Sequence, residues 1–418
     1  MKQIFLYFFI FFFYFKCSTN GSEVNTTGSL TSLIPLWSVS TTDDGTIAES
    51  GVVSTSVVYK NSILVGGRNK NIRAIQSIDI NTGKKNWVWQ DYVSKQGNTD
   101  MYSAQIDGSN LIWQQYSTNY SINLESGTTN WKNSLSVRYG EYVNLIGDKY
   151  YTGAAATSNL PLNLCGIYSF GKFNGTPNLI ATPLFDTTAL LNNSGSSGMV
   201  EYVLPFINGT DTFLVACFRD PPSTNFTVRN SICCYNLSKK LWGYNRVLIA
   251  PENHLGMEGT PFISNGNIYC TAGGSLQCNK LLSGENNWTK SFPSTSSFLF
   301  SGAIYAEGKI FANNENLHLY CIDPSNGSTI WDQGIFGTCS QMAYLNGVVY
   351  FVCGGDGKLY AIDAANGNKL WAIPSPDVKI SSQASFDRYV GLIPPQNGQK
   401  GKIVVTTGLN AYCYEAYK

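Results

Sequence analysis

Cysteine, histidine and carboxylate side chains are the groups with which this chain could perform chemistry. It has 11 cysteines, of which Cys233 and Cys234 are adjacent, and two histidines, His254 and His318. Neither histidine belongs to an HExxH or HxxxH spacing, and no CxxC pair, phosphate-binding glycine loop or GxSxG elbow occurs. The spacing of these residues therefore does not predict a metalloprotease, a phosphotransferase or a serine hydrolase.

The cysteine positions predict one disulfide. In the segment GTCSQMAYLNGVVYFVC, a turn at the Asn-Gly pair would place Cys339 nearly opposite Cys353. A disulfide needs Cα atoms within about 7 Å, which a hairpin of this register provides. We therefore predict a Cys339–Cys353 disulfide. Cys270 and Cys278 form a weaker second pair, because their register is one residue off.

A repeat determines which elements would carry these residues. Leu319–Trp331 reads LYCIDPSNGSTIW and Leu359–Trp371 reads LYAIDAANGNKLW, and the segments ending at Trp87, Trp131 and Trp288 follow the same frame. Alternating apolar residues predict a strand, the Asp/Asn–Gly pair predicts a turn, and the tryptophan lies on the next strand. Four short strands per unit, repeated at about forty to sixty residues, predict the blades of a β-propeller.

The number of units follows from one strand position that recurs in each of them. A small residue precedes each turn, where neighbouring sheets would press together. It occurs eight times: Ser77, Ser121, Ser169, Cys234, Cys278, Cys321, Ala361 and Cys413.

The two ends of the chain complete each other. The chain runs only to Lys418 after Cys413, so the eighth unit lacks its last strand, and Leu33–Val39 supplies a strand that contains Trp37. We expect these ends to pair and close an all-β, eight-bladed propeller of four-stranded antiparallel blades, with seven blades as the alternative. Residues 33–418 would then form a single domain.

These units resemble the quinoprotein (PQQ)-like repeat, whose consensus is similar to LYALDAxTGxxLW. The resemblance covers about Leu33 to Lys418 and is weakest in the third unit, where Phe185 is a poor substitute for the tryptophan. It implies that one tryptophan per unit is buried between neighbouring blades: Trp37, Trp87, Trp131, Trp242, Trp288, Trp331 and Trp371.

The resemblance also raises the question of a cofactor, because the family includes dehydrogenases that hold PQQ and calcium, some with a vicinal disulfide against the quinone. Cys234 falls on the small strand position of the repeat, so we interpret Cys233 and Cys234 as structural. Four charged residues of the irregular middle units have no spacing that brings them to one point: Glu201, Arg219, Asp220 and Arg246. We therefore predict no catalytic, cofactor-binding or metal-binding residue, and keep a PQQ- and calcium-dependent oxidoreductase as the alternative.

The amino terminus predicts export. Lys2 precedes an apolar run from Ile4 to Phe15, which is short for a membrane span and typical of a signal peptide. We predict a signal peptide at residues 1–20 and a polar segment at 21–32, with an uncleaved signal anchor as the alternative. Nine N-x-[ST] sequons after the predicted signal peptide favour a eukaryotic secretory route: Asn25, Asn119, Asn174, Asn192, Asn208, Asn225, Asn236, Asn287 and Asn326.

The amino-acid composition limits the classes of molecule that this protein is expected to bind. Charged residues make up 13% of the chain and the net charge is +1, without a long basic cluster, which argues against nucleic acid. No later segment is apolar enough to span a membrane, and the longest turn-rich insertions lie between about Tyr142 and Trp242. We predict a monomeric, non-enzymatic glycoprotein, extracellular or in the secretory lumen, that binds an unknown protein or carbohydrate ligand.

Overall fold

The computed structural model describes most of the chain after residue 32. The described ranges are 33–43, 45, 57–69, 72–90, 104–115, 117–134, 138–139, 142–155, 164–186, 198–220, 229–249, 259–272, 274–292, 302–337, 340–396 and 398–418. The predicted signal peptide and polar segment, residues 1–32, lie outside them.

Nearly all regular structure in these ranges is antiparallel β-strand, which we group into units of four consecutive hydrogen-bonded strands. The first unit is β2 (Val57–Tyr59), β3 (Ser62–Asn69), β4 (Ile72–Asp79) and β5 (Lys85–Gln90); the second is β6 (Gln105–Asp107), β7 (Asn110–Gln115), β8 (Thr118–Asn123) and β9 (Thr129–Ser134). After β10 (Arg138–Tyr139), the third is β11 (Asn144–Ile146), β12 (Lys149–Ala155), β13 (Ile167–Gly171) and β14 (Pro177–Ala181); the fourth is β15 (Met199–Asn208), β16 (Asp211–Arg219), β17 (Asn230–Asn236) and β18 (Leu241–Leu248). The fifth is β19 (Phe262–Ser264), β20 (Asn267–Ala272), β21 (Ser275–Lys280) and β22 (Asn286–Ser291); the sixth is β23 (Ala303–Ala306), β24 (Lys309–Asn314), β25 (His318–Ile322) and β26 (Thr329–Gly334). The seventh is β27 (Ala343–Leu345), β28 (Val348–Cys353), β29 (Lys358–Asp363) and β30 (Lys369–Pro374); the last is β31 (Asp387–Ile393), β32 (Lys402–Thr406) and β33 (Asn410–Glu415), completed by β1 (Trp37–Ser40).

The hydrogen bonding produces six sheets of four strands and one of nine strands. The nine-stranded sheet contains the third and fourth units and β10, and these two units are joined where Ala155 pairs with Met199. The all-β architecture of four-stranded antiparallel sheets agrees with the prediction from the repeats.

The two ends of the chain pair with each other. β1 lies antiparallel to β33 with Trp37 opposite Cys413 and Ser40 opposite Asn410, and the backbone N–H of Leu36 donates to the carbonyl of Cys413 (2.7 Å). The predicted pairing of the Trp37 strand with the Cys413 strand is confirmed. It removes the exposed edge that β33 would otherwise present.

The core lies between neighbouring units. Every residue of β28 is buried, and its side chains alternate between two clusters. Val348, Tyr350 and Val352 pack against the last unit, whereas Val349, Phe351 and Cys353 pack with residues of the sixth unit. Because sheets cover both faces of the strand, its sequence is apolar throughout instead of alternating apolar with polar.

Strand direction defines two ends of the molecule. The first and third connections within each unit are short turns at one end, which we call the hairpin face. The second connections and the segments between units lie at the other end, which we call the loop face. A short 3-10 helix, Pro376–Lys379, lies on the loop face. No helix in the described ranges is long and apolar enough to span a bilayer.

Candidate ligand-binding surface

The loop face of the third and fourth units gathers three arginine–carboxylate pairs. Asp186 follows β14, Asp220 follows β16, and Arg229 precedes β17, so these residues meet where strands of adjacent units end. Arg229 forms an ion pair with Asp186, whose backbone N–H donates to Oδ1 of Asp220 (2.8 Å). This arrangement ties the connection after β14 to the connection after β16.

Asp220 is the most deeply buried carboxylate of this group, with 2% of its surface exposed. Arg246 of β18 binds it through two parallel hydrogen bonds, Nη1 to Oδ1 (2.7 Å) and Nη2 to Oδ2 (2.6 Å). Hydrogen bonding to Asp220 raises the pKa of Arg246. This bidentate geometry favours the charged form of both groups and fixes the orientation of their side chains.

The third pair crosses the β15–β16 hairpin. A bulge between Val200 and Tyr202 places Glu201, which is buried, beside Arg219 at the end of β16, where the two form an ion pair. Arg219 lies opposite Asn230 in the β16–β17 register. The bulge therefore brings an acidic residue to the same end of the unit as the other two pairs.

Asn230 is the unusual residue of this surface. Its side chain is fully buried, yet neither its Oδ1 nor its Nδ2 has a hydrogen-bond partner, and the hydroxyl of Ser231 beside it also has none. Buried polar groups without partners are rare, since each costs about 1–3 kcal/mol. Because the side chain has no exposed surface, a ligand outside the protein does not contact this amide in the structure.

Among the described residues of this surface the charges cancel, because three arginines face three carboxylates. The groups that stay partly exposed are the guanidinium N–H donors. Such donors can hydrogen-bond uncharged polar ligands, and these described pairs carry no surplus charge for a phosphate or a metal ion. No spacing in the sequence brings Glu201, Arg219, Asp220 and Arg246 together, whereas the structure places them at one end of the third and fourth units. Asn230 was missed, because it has no motif around it.

His318, the histidine that the structure describes, lies away from this surface. His318 lies on β25, with its Nδ1 3.2 Å from a carboxylate oxygen of Asp332 on the neighbouring strand. His254 lies outside the described residues.

The tryptophans of the repeat join neighbouring units at the hairpin face. The indole Nε1 of one unit donates to a carbonyl in the third turn of the next: Trp37 to Ile80, Trp87 to Leu124, Trp131 to Lys172, Trp288 to Pro324 and Trp331 to Ala364, at 2.9–3.2 Å. Trp37 and Trp371 are buried and the other five are half-buried, although all seven lie on the outermost strands of their sheets. These five are less enclosed than the buried rings that the sequence predicted.

The fourth unit departs from the predicted tryptophan. Trp242 pairs with Tyr235, whereas Tyr244 lies opposite Cys234, the position that tryptophan takes opposite Cys278, Cys321 and Ala361. A Cβ on Gly284 of the next unit would lie 3.1 Å from Cε2 of Tyr244. Tyr244 therefore replaces the tryptophan here, because it lies ten residues after Cys234, the same spacing that separates Cys278 from Trp288.

The cysteines are free thiols wherever the structure describes them, and all nine are buried. The Sγ of Cys353 donates to the carbonyls of Phe336 (3.0 Å) and Gly337 (3.2 Å), so the predicted Cys339–Cys353 disulfide is not seen. Cys339 lies outside the described residues. Cys270 pairs with Gln277 instead of Cys278, so these two cysteines point to opposite faces of the sheet, and the Sγ of Cys270 lies 3.8 Å from that of Cys217.

The repeat of this chain is similar to a repeat that occurs in known proteins. The sequence profile of the family described as outer membrane protein assembly factor BamB, a PQQ-repeat profile, matches residues 252–333 and 273–391. The matched region holds the units with the clearest LYxID–NG–W pattern.

The units within this matched region are PQQ-like repeats.

Relatives with PQQ-like repeats differ in what they do. The chain is 28% identical over 171 residues to the dehydrogenase subunit of a quinone alcohol dehydrogenase of Gluconobacter oxydans (strain 621H), which covers 41% of this chain and 17% of that protein. The chain thus matches about a sixth of the length of that curated relative. Among solved structures, BamB from Moraxella catarrhalis is 9% identical with a TM-score of 0.59, over 92% of this chain and 100% of that one. Quinohemoprotein alcohol dehydrogenase from Comamonas testosteroni is 11% identical with a TM-score of 0.64, over 92% and 76%. At these identities the structures establish the PQQ-type propeller fold and no activity.

A calcium–quinone site needs a carboxylate that is able to bind the metal, together with an asparagine and a cation at the same point. Glu201 and Asp220 are each bound by an arginine, and no group of three or more His, Cys, Asp or Glu side chains in the described ranges could share a metal ion. Cys233 and Cys234 are free thiols that successive strand positions direct to opposite faces of β17.

Proposed function

We propose that this protein is a secreted, monomeric scaffold that binds a protein or carbohydrate ligand at the loop face of its third and fourth units and performs no chemistry on it. The observation that carries the proposal is the set of three arginines, Arg219, Arg229 and Arg246, which are partly exposed on this face and are each held by a carboxylate. A rigid surface with fixed, partly exposed hydrogen-bond donors is suited to binding.

The scaffold would be an eight-bladed ring in which each four-stranded unit supplies one blade. The hydrogen bonds from indole groups to the next unit and the β1–β33 pairing support this count. Such a ring holds its connecting loops at fixed separations, because the sheets below them cannot move independently.

The ligand would be polar and uncharged where it meets this surface. Guanidinium N–H groups whose charge is balanced by a carboxylate match the hydroxyls of a carbohydrate or the backbone carbonyls of a peptide. Neighbouring arginines would supply fixed donors, since their carboxylate partners already hold them in place.

Two charge-reversing variants test the location of binding. Arg229→Glu places two like charges together at Asp186 on the loop face, while the matched control Lys84→Glu lies exposed on the hairpin face. Binding of the purified protein to a glycan array and to cell-surface proteins captured by cross-linking would be measured for both. We expect Arg229→Glu to weaken binding at least about tenfold, a change of about 1.4 kcal/mol, and Lys84→Glu to leave it unchanged.

The proposal fails if binding survives Arg229→Glu and is lost with Lys84→Glu, with both variants folded by circular dichroism. It also fails if the purified protein binds neither probe set.

A quinone-dependent oxidoreductase is the second candidate, favoured by the match to the dehydrogenase subunit of Gluconobacter oxydans. Reconstitution with PQQ and calcium, followed by dye reduction with alcohols or sugars, distinguishes the two. We expect no turnover and no stoichiometric quinone spectrum. Turnover would replace the scaffold proposal with the enzyme.

A further inference from the structure

Two sequon asparagines are enclosed in the fold. Asn119 has no exposed surface, and its Oδ1 accepts a hydrogen bond from Nε2 of Gln114 (2.8 Å). Asn236 is 7% exposed, and its Nδ2 donates to Oδ2 of Asp211 (3.0 Å). An oligosaccharide on either side chain would have to occupy space that the protein fills, so the folded molecule has no room for it.

Four other sequon asparagines are exposed, and two of them share one turn geometry. Asn174 and Asn326 occupy equivalent positions in the third turns of their units. In each, Oδ1 accepts the backbone N–H of the sequon hydroxyl residue, Thr176 (3.0 Å) or Ser328 (2.8 Å). In this Asx turn the side-chain oxygen is used by the backbone, whereas neither Nδ2 donates a hydrogen bond to another described residue.

The remaining two lie at the same end of the strands. Asn208 is at the tip of the β15–β16 hairpin, opposite Asp211. Asn287 is near the start of β22, where its Nδ2 donates to Oδ1 of Asn267 (2.9 Å). All four exposed sequons described by the structure therefore lie on the hairpin face, and none lies on the loop face; Asn25, Asn192 and Asn225 are outside the described residues.

Exposed apolar side chains accompany two of these sites. Phe173, 86% exposed, directly precedes Asn174, and Ile207, 66% exposed, directly precedes Asn208. Such exposure is unfavourable in water, at about 25 cal/mol for each Å² of apolar surface. A sugar attached to the next residue would cover part of each side chain.

We propose that the hairpin face carries N-linked glycans at Asn174, Asn208, Asn287 and Asn326, while Asn119 and Asn236 stay unmodified. This inference rests on the proposed export, and it deepens the proposed function by assigning ligand binding to the opposite, loop face. In each transfer the Nδ2 forms a bond to C1 of a lipid-linked oligosaccharide. The bond from C1 to the lipid diphosphate breaks with its electron pair, and Nδ2 loses one proton.

Peptide mapping tests the assignment. The full chain would be expressed in a eukaryotic secretory host, collected from the medium and treated with a glycosidase in ¹⁸O-water, which marks every formerly glycosylated asparagine. We expect the mark at the four exposed positions in most molecules, and none at Asn119 or Asn236.

A matched variant tests the geometry. Asn366 occupies the turn position of Asn326, with its Oδ1 accepting the backbone N–H of residue 368 (2.9 Å), but residue 368 is Asn and not Ser or Thr. Asn368→Thr should therefore add one glycan per molecule at Asn366.

Secreted, folded protein with a glycan on Asn119 or Asn236, or without glycans on the exposed four, would overturn the inference and leave export intact. Protein that stays in the cytosol and is unmodified, including the Asn368→Thr variant, would instead overturn export and hence the proposed function.

Discussion

At the residue scale, neighbouring units meet where a tryptophan of one unit packs against a glycine in the third turn of the next. Gly367, in the third turn of the seventh unit, has φ +77°, and a Cβ there would lie 2.7 Å from Cε3 of Trp331. Gly308 has a similar φ of +73°, but no atom lies within 4 Å of its Cβ position. The two glycines therefore separate the cost of backbone strain from the cost of losing the indole contact.

We predict that Gly367→Ala lowers the free energy of unfolding by about 3 kcal/mol or more, because strain and collision add. Gly308→Ala should cost about 1 kcal/mol, from the left-handed backbone alone. Urea unfolding of both variants measures the difference. Equal values would show that the indole does not rest on the glycine.

Two buried tyrosine hydroxyls differ in their partners. Tyr150 donates to Oδ2 of Asp107 (2.6 Å), which also binds Nζ of Lys172 (2.7 Å), whereas the hydroxyl of Tyr244 is buried without a hydrogen bond. Removing a hydroxyl that bonds a charged group costs about 1.5–3 kcal/mol, and removing one without a partner relieves a desolvation penalty.

We predict that Tyr150→Phe destabilises the protein by about 2 kcal/mol, while Tyr244→Phe leaves stability unchanged or raises it by up to about 1 kcal/mol. Thermal unfolding of the pair provides the measurement. A loss of stability with Tyr244→Phe would show that its hydroxyl has a partner in solution.

At the scale of elements, the third turn of a unit depends on an ionised aspartate. Oδ1 of Asp323 accepts the backbone N–H of Ser325 (2.8 Å) and its hydroxyl (2.6 Å). These hydrogen bonds, from the Ser325 side chain first and its backbone second, lower the pKa of Asp323. At Asp79 burial opposes ionisation, but hydrogen bonds from Thr82 and Asn81 outweigh it and also lower the pKa.

A lowered pKa in the folded state stabilises the fold above the unfolded value of about 3.9, and this contribution is lost as the pH falls through the folded pKa. We therefore predict that Tm is insensitive to these turns between about pH 5 and 7 and falls below about pH 4. Asp323→Asn should reduce that fall, and Asp148→Asn, on an exposed hairpin tip, should not. Identical pH profiles for the wild type and Asp323→Asn would contradict the prediction.

At the scale of the whole molecule, a four-residue strand closes the fold. β1 buries Trp37 in a cluster with Ile63, Val404 and Cys413, and its indole donates to the carbonyl of Ile80 (3.0 Å) in the first unit. β1 thus contacts both the last and the first unit. Without it β33 would become an open edge, which invites pairing with other chains.

We predict that removal of residues 1–40 lowers Tm and produces oligomers, while removal of residues 1–32 changes neither. The lost burial of Trp37 alone corresponds to about 3–5 kcal/mol. Light scattering after size exclusion, together with thermal unfolding, checks both truncations. A monomeric shorter chain with unchanged Tm would show that the fold closes in another way.

Local pattern was sufficient for much of this architecture. The LYxID–NG–W frame predicted the strands and the turns between them, and the small residue before each turn predicted where sheets meet, because turn chemistry and side-chain alternation act over a few neighbouring residues. The pairing of Trp37 with the Cys413 strand also followed, since the last unit lacked one strand and the chain began with one.

Register and partners depended on distant residues. Tyr244, and not the predicted Trp242, lies opposite Cys234, and the Cys353 thiol donates hydrogen bonds to two carbonyls. Asn119 and Asn326 carry the same sequon pattern, yet one is enclosed between sheets and the other is exposed on a turn. Burial, free thiols and the unpartnered amide of Asn230 all arise from contacts between segments far apart in the chain, and no short window of residues contains the groups that make those contacts.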